Sequence, residues 1–107
     1  MLSIGNIGSE KLEDSAVDMN AASTTTPIET SDRVYVGLFV ANVSGTSATH
    51  VTTVQISADN VNWFDTSCTI TGEGASEGML LIGEWVRAKV TTVEGAASTA
   101  DITIVIK

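Results

Sequence analysis

The stretch "RVYVGLFVAN", residues 33–42, decides the fold class of this 107-residue chain. Neighbouring side chains of an extended strand point to opposite faces of the sheet. Both faces of this stretch are apolar: Val34, Val36, Leu38 and Val40 on one, and Tyr35, Gly37, Phe39 and Ala41 on the other. A strand that is apolar on both faces is covered on both. The stretch therefore predicts a central strand of a layered β-protein.

The chain after Arg33 continues with alternating strand patterns. In residues 50–58, "HVTTVQISA", the predicted inward set is Val54, Ile56 and Ala58, and the outward set is Thr53, Gln55 and Ser57. In residues 84–90 the inward set is Val86, Ala88 and Val90, and the outward set is Trp85, Arg87 and Lys89. Residues 99–107 place Ile102, Ile104 and Ile106 on one side. Six or so strands at short intervals predict an antiparallel β-sandwich, jelly-roll-like in topology.

The first 32 residues have a different pattern. Residues 1–14 read as an extended arm, because Leu2, Ile4 and Ile7 are apolar but have no partner surface of their own. Residues 9–19 fit a short helix or a strand, and we favour a strand near residues 15–23. The domain organisation is thus an arm, residues 1–14, followed by one β-sandwich domain, residues 15–107.

Composition excludes several classes of function. The chain has 13 acidic and 5 basic residues and a net charge of −8, whereas nucleic-acid and anionic-membrane surfaces need clustered Lys and Arg. Its single cysteine, Cys68, permits no intrachain disulfide and suits assembly in a reducing compartment. No signal peptide is recognisable at the start, and no apolar run is long enough to cross a membrane.

Residues capable of chemistry are few and lack recognisable motifs. His50 and Cys68 could formally pair, but neither lies in a nucleophile signature, so we expect Cys68 in the core and His50 on the surface. An oxygen-rich cluster surrounds a turn and lacks the spacing of a helix-loop-helix calcium site: Asp59, Asn60, Asn62 and Asp65. We therefore predict no catalytic residue, no metal site and no cofactor.

The adjacent aromatics Trp63 and Phe64 raise the question of which one enters the core. If Asp59-Asn60 is a two-residue hairpin turn, Ala58, Val61 and Trp63 point inward and Phe64 points outward. The chain then has more exposed apolar surface than a thin sandwich hides, and another subunit would cover it. The predicted interface residues are Leu2, Ile4, Ile7, Tyr35, Phe39, Phe64 and Trp85. The alternative is a carbohydrate-binding platform formed by Trp63 and Trp85.

Residues 33–107 resemble small β-sandwich structural proteins of tailed-phage virions. The resemblance lies in an "N.SGT" loop, an "S.D...W" hairpin and a "VR..V" strand: Asn42, Ser44, Gly45 and Thr46; Ser57, Asp59 and Trp63; Val86, Arg87 and Val90. It implies a capsid decoration or cement protein, assembled in the host cytoplasm, that binds the outer shell as a dimer or trimer. The implied partner is the major capsid protein or another virion protein. A tail, neck or fibre module fits the resemblance too, and no catalytic residue comes with it.

Overall fold

A computed structural model describes residues 10–45, 48–80 and 83–107, which form two β-sheets. The strands are β1 Glu10–Asp18, β2 Ile28–Glu29, β3 Tyr35–Ala41, β4 Val51–Ser57, β5 Phe64–Thr71, β6 Gly74–Met79, β7 Trp85–Thr92 and β8 Thr99–Ile106. Within these ranges no helix is long and apolar enough to cross a membrane.

The strands form four nested antiparallel pairs. β1 pairs with β8 and β3 with β6 in sheet A, whose order is β1-β8-β3-β6. β2 pairs with β7 and β4 with β5 in sheet B, whose order is β2-β7-β4-β5. First-with-last pairing, repeated inward to the central hairpin, is the connectivity of an eight-stranded jelly roll. The predicted antiparallel β-sandwich is confirmed.

The core lies between the two sheets, and the predicted alternation of β3, β7 and β8 supplies most of it. Its nearly inaccessible side chains include Val36, Leu38 and Val40; Val86, Ala88 and Val90; and Ile102, Ile104 and Ile106. Val34 was grouped with the inward set, but it precedes β3 and is exposed. Burying each valine, leucine or isoleucine side chain of this set stabilises the fold by about 1.5–3 kcal/mol.

The structure corrects the prediction for β4. Thr53, Gln55 and Ser57, predicted to face outward, are buried. β4 lies between β7 and β5, so neighbouring side chains close over its polar face: Thr53 Oγ1 lies 2.9 Å from Thr91 Oγ1. Ala58, predicted to face inward, follows the end of the strand and is exposed. A central strand can therefore bury short polar side chains that hydrogen-bond along the sheet face.

β1 also begins earlier than predicted. Glu10 to Asp14 pair with Ile106 to Ile102 of β8, so residues 10–14 of the predicted arm belong to the sandwich. Residues 19–22 of the predicted strand form a turn. A register shift between Asp14 and Val17 places Ala16 at φ 51°. This bulge interrupted the local alternation and obscured the strand in the sequence. Residues 1–9 of the arm lie outside the described residues.

His50 is fully buried, which corrects the prediction that it lies on the surface. Its Nδ1 lies 2.7 Å from Oε2 of Glu94, whose side chain is 2% exposed. The same carboxylate accepts hydrogen bonds from the Thr49 hydroxyl at 2.7 Å and from the Thr49 and His50 backbone N–H groups. The Glu94 N–H donates to the Met19 carbonyl at 2.8 Å. Glu94 thus ties the entry of β4 to the turn that follows β1.

We expect Glu94→Ala to lower the free energy of unfolding by about 3–5 kcal/mol, because it leaves the buried His50 ring and backbone N–H, and the part-buried Thr49 donors, without their acceptor. Urea denaturation followed by circular dichroism measures the change. Thr49→Val, which removes one hydroxyl donor, is the matched control and should cost about 1 kcal/mol. Equal losses in the two variants would contradict the central role of the carboxylate.

Asp101 on β8 joins the two strands beside it in sheet A. Its carboxylate accepts a hydrogen bond from the Asn42 side-chain amide at 2.7 Å and another from the Ala16 N–H at 2.8 Å. These bonds, the Asn42 bond most, hold the pKa of Asp101 below its ordinary value. Both donors belong to residues with positive φ, 54° and 51°. One carboxylate therefore holds two left-handed backbone positions in place.

A depressed pKa in the folded state means that Asp101 stabilises the fold fully above about pH 4, its unfolded value, and progressively less as the pH falls through the folded value. We expect the difference in free energy of unfolding between wild type and Asp101→Asn to be largest at neutral pH and to shrink on acidification. Urea titrations from neutral to acid pH measure it. Asn42→Gly, which keeps the backbone angle but removes one donor, should give an intermediate pH dependence. Parallel curves for all three proteins would contradict the assignment.

Candidate interaction surface

The outer face of sheet A carries an apolar groove that the core does not use. The groove encloses about 650 Å³ above β3, β6 and the end of β8. Its walls are large side chains that remain accessible: Tyr35 is 55% exposed, Met79 55% and Phe39 44%. Val105 completes the apolar lining, and Glu77 and Lys107 are its charged members. Three half-exposed large apolar side chains on one sheet face are typical of a protein–protein contact.

A glycine produces the hollow at the centre of the groove. Gly37 pairs with Glu77 on β6 and with Val105 on β8, so it lies in the middle of the sheet. It leaves a gap where other residues would project a side chain. The Phe39 ring leans over this gap, 3.2 Å from the position that a Gly37 Cβ would occupy. An aromatic ring beside a strand glycine covers exposed backbone and here forms one wall of the groove.

The two edges of sheet A carry opposite charges on its outer face. The register gives one row of side chains across the outer face: Glu77 on β6, Gly37 on β3, Val105 on β8 and Lys11 on β1. Glu77 and Lys11 are exposed on the two edge strands. From one edge of sheet A to the other, the row therefore consists of an acidic residue, a glycine, an apolar residue and a basic residue.

The predicted interface residues do not form a single surface in the structure. Tyr35 and Phe39 lie together in the groove. Phe64, 68% exposed, and Trp85, half-buried, belong to sheet B. Leu2, Ile4 and Ile7 lie outside the described residues. The interface assignment itself stays a prediction.

Sequence reasoning missed two apolar residues of the groove. Met79 was missed because the preceding residues 72–78, "GEGASEG", contain three glycines and no alternating apolar pattern, whereas Gly74–Met79 is strand β6. Val105 was missed although its signal was present, since it alternates with Ile104 and Ile106 and must face the other side of β8. Local pattern thus predicts which face Val105 occupies, but not that this face is part of a groove.

The outer face of sheet B is closed by the side chain predicted to enter the core. Trp63 is half-buried, and the Arg87 guanidinium lies over its ring at 4.2 Å. Arg87 Nε donates to Gln55 Oε1 at 2.9 Å, and Gln55 Nε2 donates to Asp65 Oδ1 at 2.8 Å. Trp63 therefore covers the outside of the sheet, and the prediction that it enters the core is wrong. Phe64 is exposed, as predicted.

The turn before Trp63 explains this difference. It is not a two-residue hairpin, because β4 ends at Ser57 and β5 begins at Phe64. The Asp59 carboxylate accepts hydrogen bonds from the N–H groups of Val61 and Asn62 at 2.9 and 2.8 Å and from the Asn62 side chain at 2.9 Å. The backbone bonds in particular hold its pKa well below the ordinary range. The longer turn leaves Val61 75% exposed, whereas the prediction placed it inward.

The oxygen-rich cluster is used by this turn and by the sheet. Asp59 caps the turn, Asn60 adopts a φ of 61°, and Asp65 accepts its hydrogen bond from Gln55. Across residues 10–45, 48–80 and 83–107, no group of three or more His, Cys, Asp or Glu side chains could hold a metal ion.

Cys68 and the tryptophans offer little chemistry. Cys68 is buried, as predicted, and burial raises the pKa of its thiol, which disfavours the nucleophilic thiolate. Trp63 and Trp85 both lie at the outer face of sheet B, but the ring face of Trp63 is occupied by Arg87. A flat sugar-stacking platform needs free ring faces, so the arrangement favours a structural role for Trp63.

Comparison with protein-family models and with curated protein sequences finds no match. Comparison with solved structures finds several of similar fold. The SPBc2 prophage-derived protein YomS superposes with a TM-score of 0.59 at 11% identity, over 92% of this chain and 95% of YomS. PliG of Aeromonas hydrophila, a periplasmic inhibitor of g-type lysozyme, superposes with a TM-score of 0.58 at 13% identity, over 100% of this chain and 92% of PliG.

A Bacillus endospore appendage protein of disulfide-linked pili is 16% identical over 92% of this chain and 86% of its own length. Its TM-score of 0.49 is too low for the comparison to bear on the fold. At identities of 11% and 13%, YomS and PliG share the fold with this chain, and a shared fold does not by itself carry a function. The comparisons therefore establish a β-sandwich of a known architecture.

Proposed function

We propose that the chain is a structural protein of a tailed-phage virion, of the capsid decoration or cement type, that binds the outer shell and stabilises it. The observation that carries the proposal is the apolar groove of sheet A. Its accessible rings and methionine lie on the flat outer face of a rigid jelly roll, where a second protein surface can cover them.

Two further observations support a virion role. The similarly folded YomS is prophage-derived. The net charge of −8 would keep separate copies soluble and apart until they meet a lattice.

The proposed mechanism is mass action on an assembled shell. A protein that binds only the assembled lattice stabilises that lattice in proportion to its affinity and concentration. Many weak contacts on one particle multiply the effect. In this proposal the arm, residues 1–8, lies across the major capsid protein while the sandwich contacts neighbouring copies of itself. The protein would then act at the virion surface after assembly in the host cytoplasm.

We expect immunogold labelling of particles from the encoding phage or prophage to decorate the heads evenly. Electron microscopy with an antibody against the sandwich domain makes the measurement, and particles from a strain deleted for the gene are the control. Label confined to tails, necks or fibres would contradict the capsid role and support a tail, neck or fibre module instead. Absence of label from all particles would overturn the virion proposal.

Deleting residues 1–8 should abolish co-sedimentation of the purified protein with empty capsid shells, because it removes Leu2, Ile4 and Ile7 together. The sandwich should keep its thermal stability, since β1 begins at Glu10. A variant with Leu2, Ile4 and Ile7 replaced by Ser keeps the arm length and should bind as poorly as the deletion. Unchanged binding of either variant would exclude the arm as the shell contact.

A further inference from the structure

We infer that the groove of sheet A is filled by sheet A of a second copy, in an isologous dimer whose two-fold axis runs parallel to the strands between β3 and β8. This inference rests on the proposed function only in taking the groove as a protein contact. It goes further in naming the surface through which two copies meet, the symmetry and the residue pairs.

The pairing follows from the row of side chains across the sheet. Adjacent strands are about 4.8 Å apart, so the row from Glu77 to Lys11 has nearly even spacing. A two-fold axis midway between β3 and β8 exchanges the inner two positions of the row and also the outer two. Gly37 then faces Val105 of the second copy, and Glu77 faces Lys11 of the second copy. Each contact occurs twice, as an isologous interface requires.

In the inner contact, Gly37 of one copy faces the Val105 side chain of the other. Gly37 projects no side chain; the Phe39 ring of the same copy leans over its Cβ position, and the groove lies beside that ring. Val105, on the next strand of the same face, supplies the branched side chain that enters the groove from the opposite copy, beside the Phe39 ring. Sheets that pack face to face lie about 10 Å apart, with side chains interdigitated. A glycine beside a valine is therefore self-complementary under this symmetry.

The outer contact matches charge. Within one copy Glu77 and Lys11 lie three strand spacings apart, about 14 Å, too far to pair with each other. The second copy brings each of them against the opposite charge. A two-fold axis perpendicular to the strands would instead place Glu77 against Glu77, which is repulsive. Glu77 and Lys11 thus favour a two-fold axis parallel to the strands over one perpendicular to them.

The size of the face indicates that the dimer is weak in dilute solution. Four strands of about seven residues cover roughly 20 by 20 Å, less than the roughly 800 Å² that each partner buries in a standard interface. We therefore expect self-association to depend on concentration, and to become strong where a shell holds many copies close together.

Charge reversal tests the pairing by sedimentation velocity over about 1 to 500 µM protein, a range that spans weak association. Glu77→Lys and Lys11→Glu should each weaken the homodimer at least about tenfold, because like charges then face each other. An equimolar mixture of the two variants should dimerise within about threefold of wild type, since both pairs are then attractive again. The exposed Glu84→Lys, the same charge change on the sheet B side, is the matched control and should dimerise as wild type does.

The variants should all fold, because residues 11 and 77 are exposed on edge strands, and circular dichroism checks this. A monomeric wild type at the highest concentration, or a mixture that stays monomeric while wild type dimerises, would overturn the inference. Neither result would change whether the antibody labels phage heads. The dimer and the virion role are therefore tested independently.

Discussion

The burial of two alternating apolar faces against each other is the constraint on which the whole structure depends. The inward side chains of β3 and β8 in sheet A meet those of β7 and β4 in sheet B, and the exposed fraction of the central ones is close to zero. The four nested strand pairs bring distant alternating segments into these two facing layers.

Carboxylates close the ends. Glu94 hydrogen-bonds to the residues that enter β4 and to the turn after β1. Asp101 accepts hydrogen bonds from the bulge of β1 and from Asn42 after β3. Asp59 caps the turn between β4 and β5. In each case the carboxylate oxygens accept hydrogen bonds from backbone or side-chain donors that have no partner within the sheets. Part of the acidity of the chain is therefore structural, and its net charge is not solely a surface property.

The two outer faces differ, and this difference is the basis of the functional proposal. On sheet B, Trp63, Arg87 and Gln55 cover the face with a stacked and hydrogen-bonded layer. On sheet A, Gly37 leaves a hollow beside accessible aromatic side chains. Both faces carry large side chains, but only the first is closed by contacts of its own.

The sequence pattern correctly predicted the fold class, the inward faces of β3, β7 and β8, the burial of Cys68 and the exposure of Phe64, whereas the outer face of β3, predicted to be covered, leaves Tyr35 and Phe39 half-exposed. These follow from local alternation, which reports the face of a strand because the side-chain period is two residues. Only the tertiary structure decided which strands are neighbours, and with them the groove, the Trp63–Arg87 stack and the burial of His50. Buried His50 pairs with Glu94, which lies 44 residues away, and Gly37 meets Glu77 and Val105 from two distant strands. Such contacts depend on register between segments far apart in the chain, and no local period encodes that register.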